Sequence, residues 1–121
     1  MKKTAEIIAF EPDLLFSSKI ESVCKNIGVN VKLVGSLDEL REALSSEPPK
    51  VLLINLDFAQ GELSALKQLV DKESWKTIGY YSHVKKGLAE EANRLGIDTV
   101  IPRGTFAGKL KEILSRTLST E

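Results

Sequence analysis

The chain has 121 residues, the usual size of one domain, and leaves too little over for a second hydrophobic core. Its apolar fraction of 42% is ordinary for a soluble globular protein and argues against disorder. Lysine plus arginine equals aspartate plus glutamate at 17 each, so there is no excess of positive charge to suit nucleic acid or an anionic membrane; Lys109 and Lys111 are too few to supply one.

Cys24 is the single cysteine, so an intramolecular disulfide and a multi-cysteine metal site are both ruled out. It falls on the apolar stripe of a helical period, where a small buried hydrophobe is expected. No apolar run approaches the roughly 18 residues that span a bilayer. Met1-Lys2-Lys3 is basic, but the apolar run behind it is short and is followed by Glu11, unlike a signal peptide. A cytoplasmic location is the expectation.

Ile7 to Phe10 and Val51 to Ile54 are unbroken apolar runs, the pattern of strands covered on both faces in a parallel sheet. Asn30 to Val34 alternates and suits a strand nearer an edge. Thr77 to Tyr81 and Thr99 to Ile101 are rich in β-branched and aromatic residues. Between these strands run helical periods. Phe16, Ile20, Val23 and Ile27 form the first, stopped by Gly28. Leu37, Leu40 and Leu44 form the second, opened by Ser36 with Glu39 as a capping box and closed by Pro48-Pro49. Leu63, Leu66, Leu69 and Val70 mark a third, and Leu88, Ala92 and Leu95 a fourth, which Gly96 ends. Phe106, Leu110, Ile113, Leu114 and Leu118 mark one last helix.

Five β-α pairs in strict alternation predict a single doubly wound α/β domain over residues 1–121, of flavodoxin-like class, a three-layer sandwich with sheet order 2-1-3-4-5. Its ligand crevice is expected at the carboxyl ends of the first and third strands. Glu11-Pro12-Asp13 follows the first strand, Asn55-Leu56-Asp57 the third, Ser82-His83 the fourth and Pro102-Arg103-Gly104 the fifth. Acids, a hydroxyl and a cation can therefore converge there.

With these residues in that order, the chain resembles the receiver domain of bacterial two-component response regulators along essentially its full length. Pro49 to Ile54 looks like that family's approach to its phosphoacceptor, and Gly96 to Arg103 like its glycine-to-lysine segment. The resemblance implies acids after strand one that hold Mg²⁺ and an aspartate ending strand three that accepts a phosphoryl group. It also implies a hydroxyl and a lysine that grip the phosphoryl oxygens. This chain departs from that pattern at most of these positions. Asn55 stands at the acceptor position, and an amide cannot attack phosphorus as a carboxylate does. Glu11 and Pro12 replace the acid pair, Arg103 replaces the lysine, and Val100 replaces the aromatic switch. The Phe58-Ala59-Gln60-Gly61 loop is also short. Ser82 alone keeps the family's usual type.

The resulting expectation is a degenerate receiver, a pseudo-receiver that is not an enzyme and carries no cofactor and no metal. Its remnant pocket consists of Glu11, Asn55, Asp57, Ser82 and Arg103. The Arg103 fork is expected to hold Glu11 or Asp57, and Asp13, one residue too far along, to point elsewhere. The family's partner surface maps onto Lys85, Lys86, Glu90, Val100 and Lys109. The implied partner is another signalling protein, with no nucleic acid and no membrane; its identity and the oligomeric state, a homodimer included, stay open.

Two alternatives stand beside this. An active receiver could use Asp57 with Mg²⁺, since Asp57 would share a side with Asn55 by strand parity if the strand ran that far. A flavodoxin-like fold could instead bind a small molecule, although Glu11-Pro12-Asp13 offers charge where a phosphate cradle wants N–H groups. His83 has no second ligand and is expected in solvent. The expected role of Tyr80 and Tyr81 is core filling, with their hydroxyls reaching a helix edge. Trp75 is expected to pack against the edge of its own helix; anchoring a partner is the other role open to it.

Overall fold

Strands that are apolar on every residue must be covered on both faces, and the chain meets that demand by winding helices to either side of one sheet. The computed structural model describes residues 6–46, 48–59, 75–82, 90, 94 and 96–119. Within them the strands are β1 (Ile7–Phe10), β2 (Val31–Val34), β3 (Val51–Asn55), β4 (Lys76–Tyr81) and β5 (Thr99–Pro102). All neighbours pair in parallel, in the order β2-β1-β3-β4-β5. This is the flavodoxin-like arrangement expected from the sequence, and among the described helices none is long and apolar enough to cross a membrane.

The described helices are α1 (Leu14–Ile27), α2 (Leu37–Ser46), α3 (Leu56–Ala59), α4 (Arg103–Gly108) and α5 (Leu110–Ser119). The apolar residues of the periods at Leu63 to Val70 and at Leu88, Ala92 and Leu95 lie outside the described residues, as do His83, Lys85 and Lys86, and Gln60-Gly61 of the short loop. Asp13 caps α1 by accepting from the Leu15 N–H at 3.1 Å, and Gly28 ends it with φ of 78°. A left-handed residue at that point satisfies the last carbonyls, and glycine adopts it without a Cβ penalty. The capping box at α2 is present in a modified form. Ser36 Oγ accepts from the Glu39 N–H at 3.1 Å, but the Glu39 carboxylate reaches back to the Gly35 N–H instead of that of Ser36.

Side-chain parity sorts the core into two layers. Ile8, Phe10, Leu52 and Ile54 point to the α2 side and pack with Val34, Leu40, Ala43, Leu44 and Leu56. Ile7, Ala9, Val51 and Leu53 point the other way and pack with Phe16, Ile20, Cys24, Tyr80, Phe106, Leu110 and Leu114. Cys24 is buried there, as expected. Trp75 is half-buried against the α2-side layer. Gly79 leaves room for that layer, since a Cβ there would sit 3.0 to 3.2 Å from the buried Leu56 side chain.

The sequence reading of a single last helix needs correction. Lys109 leaves the helical region at φ −122° and ψ 21°, which divides the segment into α4 and α5. The apolar period survives the break, because Phe106, Leu110 and Leu114 all pack into the same layer. That is why the pattern reads as one helix.

Candidate functional site

Strand parity carries past the ends of the strands and builds the site. Ile7 and Ala9 face the α1 side, so the next odd residue, Glu11, turns the same way; Val51, Leu53 and Asn55 do likewise. Asn55 is registered against Tyr80 of β4, and Tyr80 shares the face of Ile78. The three side chains therefore meet beneath α1. The Asn55 amide, through Nδ2, donates to Glu11 Oε1 at 2.9 Å and to Oε2 at 3.0 Å. The Tyr80 hydroxyl donates to Oε1 at 2.8 Å, and the Asp13 N–H donates to Oε2 at 3.0 Å.

Glu11 is only 3% exposed, so its carboxylate depends on these donors in place of water. A buried carboxylate is costly unless hydrogen-bonded, and these contacts occupy both oxygens. Tyr80 lies between two rings, stacked on Phe106 at 4.7 Å and tilted against Phe16 at 5.2 Å. Burial first, and the neighbouring Glu11 charge second, push its phenol far above the ordinary value of 10.0.

The network continues on both sides of Glu11. Asn55 Oδ1 accepts from the Asp57 N–H at 2.9 Å, which turns the chain into α3. Asp57 Oδ2 accepts from the Ser82 N–H at 2.8 Å and from the Ser82 hydroxyl. On the other side, Arg103 opens α4 and donates to Asp13 Oδ2 at 3.1 Å, with its guanidinium 4.8 Å over the Phe16 ring. A continuous set of contacts thus runs from Arg103 through Asp13, Glu11, Asn55 and Asp57 to Ser82. It ties the carboxyl ends of β5, β1, β3 and β4 together.

Four details differ from the sequence expectation. Arg103 pairs with Asp13, not with Glu11 or Asp57, because Glu11 points into the interior while Asp13 stands at the helix start beside α4. Asp13, expected to lie away from the pocket, is part of it, and its position just before Leu14 is an N-cap signal that marks it. Tyr80 sends its hydroxyl to Glu11 and not to a helix edge; its register opposite Asn55 is what the sequence pattern did not show. Asp57 does not share a strand face with Asn55, since β3 ends at Asn55 and α3 begins at the next residue.

A divalent cation does not fit these residues as they stand. Both Glu11 oxygens face N–H hydrogens of Asn55, and Asp57 Oδ2 is turned to Ser82. Among the described residues no group of three His, Cys, Asp or Glu side chains is placed to hold a metal. Of the residues mapped as a partner surface, Glu90 and Lys109 are exposed, while Val100 is half-buried against the α2-side layer.

No family model matches this chain, and no curated protein matches it. Solved structures do. A response regulator from Thermotoga maritima superposes with a TM-score of 0.81 at 14% identity, over 98% of this chain and 100% of that one. A response regulator from Hahella chejuensis gives 0.83 at 13% identity, covering 96% of each chain. HP1043, an orphan response regulator of H. pylori, gives 0.81 at 13% identity, over 98% of this chain and 99% of its own. At such identities the likeness is one of fold: the chain has the receiver fold.

Proposed function

We propose that this chain is a pseudo-receiver, a receiver fold kept for contact with another signalling protein after phosphoryl transfer has been lost. The observation that carries the reading is the Asn55–Glu11 pair. At the position where the resemblance implies a nucleophilic carboxylate, a neutral amide spends its N–H groups on the buried acid Glu11. An amide supplies no attacking oxygen of the needed basicity, and its hydrogens repel the cation that would neutralise the phosphoryl group. The pocket is filled by internal bonds, so no phosphoryl-dependent difference between two states remains to drive a switch. The domain then serves as a constitutive binding module.

A second reading rests on Asp57. Its carboxylate lies beside the Ser82 N–H and hydroxyl, donors suited to an acceptor aspartate. One experiment separates the two. The full chain is incubated with acetyl phosphate and Mg²⁺ and its intact mass measured. An unchanged mass is expected, whereas a phosphoryl adduct that maps to Asp57 would replace the first reading with the second.

A further inference from the structure

Beside the network, and open to solvent, a cavity of about 480 Å³ lies between α1 and the β5–α4 junction. That volume is within the range of small-molecule sites, roughly 300 to 1,000 Å³. Phe16, Tyr81, Pro102 and Ala107 give it mostly apolar walls. Its polar groups are few and one-sided. Lys19 comes from α1, Arg103 from the head of α4 and Ser82 from the end of β4, and among the described residues no carboxylate lines the cavity.

The charges are not cancelled from within. Among the described residues Lys19 has no ion-pair partner, and Arg103 gives one nitrogen to Asp13 and leaves the rest of its fork unpaired. Arg103 is also held in place, paired at one edge and stacked on Phe16 at its face. A preorganised guanidinium loses little freedom on binding an anion. Arg103, held by Asp13 at one nitrogen, and the freer cation of Lys19 therefore face an apolar space.

We propose that this cavity is a binding site for a small amphiphilic anion, a planar apolar body carrying a single phosphate. The body lies against Phe16, Tyr81, Pro102 and Ala107, and the anionic group meets Lys19 and Arg103. The site lies beside the acceptor position and shares Arg103 and Ser82 with the remnant pocket.

The test uses the ¹⁵N-labelled full chain titrated with 1-naphthyl phosphate, with 1-naphthol and inorganic phosphate as the two halves of the probe. A phosphate monoester of this kind is not an acyl phosphate and leaves the aspartates unmodified. Saturable amide shifts are expected at Phe16, Lys19, Tyr81, Ser82, Gly104 and Ala107, with either half binding at least about tenfold more weakly than the whole. Lys19→Glu, on an exposed helix position, should weaken 1-naphthyl phosphate about fivefold, the scale of an exposed charge contact reversed, with an unchanged melting temperature. The proposal is overturned by an absence of saturable shifts, by shifts centred elsewhere, by equal binding of either half, or by indifference to Lys19→Glu.

Discussion

The Asn55 amide nitrogen lies 2.9 and 3.0 Å from the two carboxylate oxygens of Glu11, so a neutral donor bridges both lone-pair edges of a buried acid. The pair joins β1 to β3 at the point where the sheet gives way to loops, and it is as much a structural joint as a remnant of chemistry.

Replacing the amide by a second acid should expose that dependence. Asn55→Asp removes both N–H donors and sets two carboxylates together in a dry site. A loss on the order of 3 kcal/mol at pH 7 is expected, the scale for leaving a buried charge uncompensated. One of the two acids then takes up a proton more readily in the folded state, so the loss should shrink as pH falls toward 4. Urea denaturation of both proteins across that range measures it.

Tyr80→Phe deletes a single hydroxyl donor to Glu11 without changing the ring stack on Phe106 and Phe16. The cost should be about 1 to 3 kcal/mol, that of a buried acceptor losing a partner. The same substitution should change the alkaline limb of stability. Tyr80 is raised in the folded state, so folding favours its neutral form; that contribution is full below the unfolded value near 10 and declines as pH rises above it. The wild type should lose stability above pH 10 more steeply than Tyr80→Phe, as read by chemical denaturation.

The two oxygens of Asp13 do different work, and two substitutions separate them. Asp13→Asn keeps a side-chain oxygen to cap α1 but loses the ion pair with Arg103, for about 0.5 to 1 kcal/mol at a site two-thirds shielded from water. Asp13→Ala loses the cap as well and should cost about 1 kcal/mol more. Only the Asn variant's deficit should mimic that of wild type in high salt.

Cys24 gives a probe of opening. Burial foremost, with the Glu6 charge adding to it, pushes its thiol up to about 11. At pH 8 the folded protein should react with a thiol reagent only at the rate at which this layer opens, and at once in denaturant. Rapid labelling of the native chain would show that the α1 layer is loose.

Much of this protein was legible in its sequence because burial on both faces leaves a local trace. The apolar runs at Ile7 to Phe10 and Val51 to Ile54, and the helical steps of Phe16, Ile20 and Leu40, Leu44, record which residues meet no water. Alternation of such elements determined the doubly wound sheet. Asn55 at the end of β3 was equally plain, since an amide differs from a carboxylate in composition alone. What the sequence did not decide was which polar groups meet. Glu11 and Tyr80 are 69 residues apart and Arg103 and Asp13 are 90, and no local period links them. Their contacts follow from strand register and from the direction in which each chain leaves the sheet. Lys109 shows the same limit, because a helix can break there while its apolar face stays continuous. Only the tertiary structure brings those groups within hydrogen-bond range, and there the burial of Glu11 draws to it the donors of Asn55, Tyr80 and the Asp13 backbone.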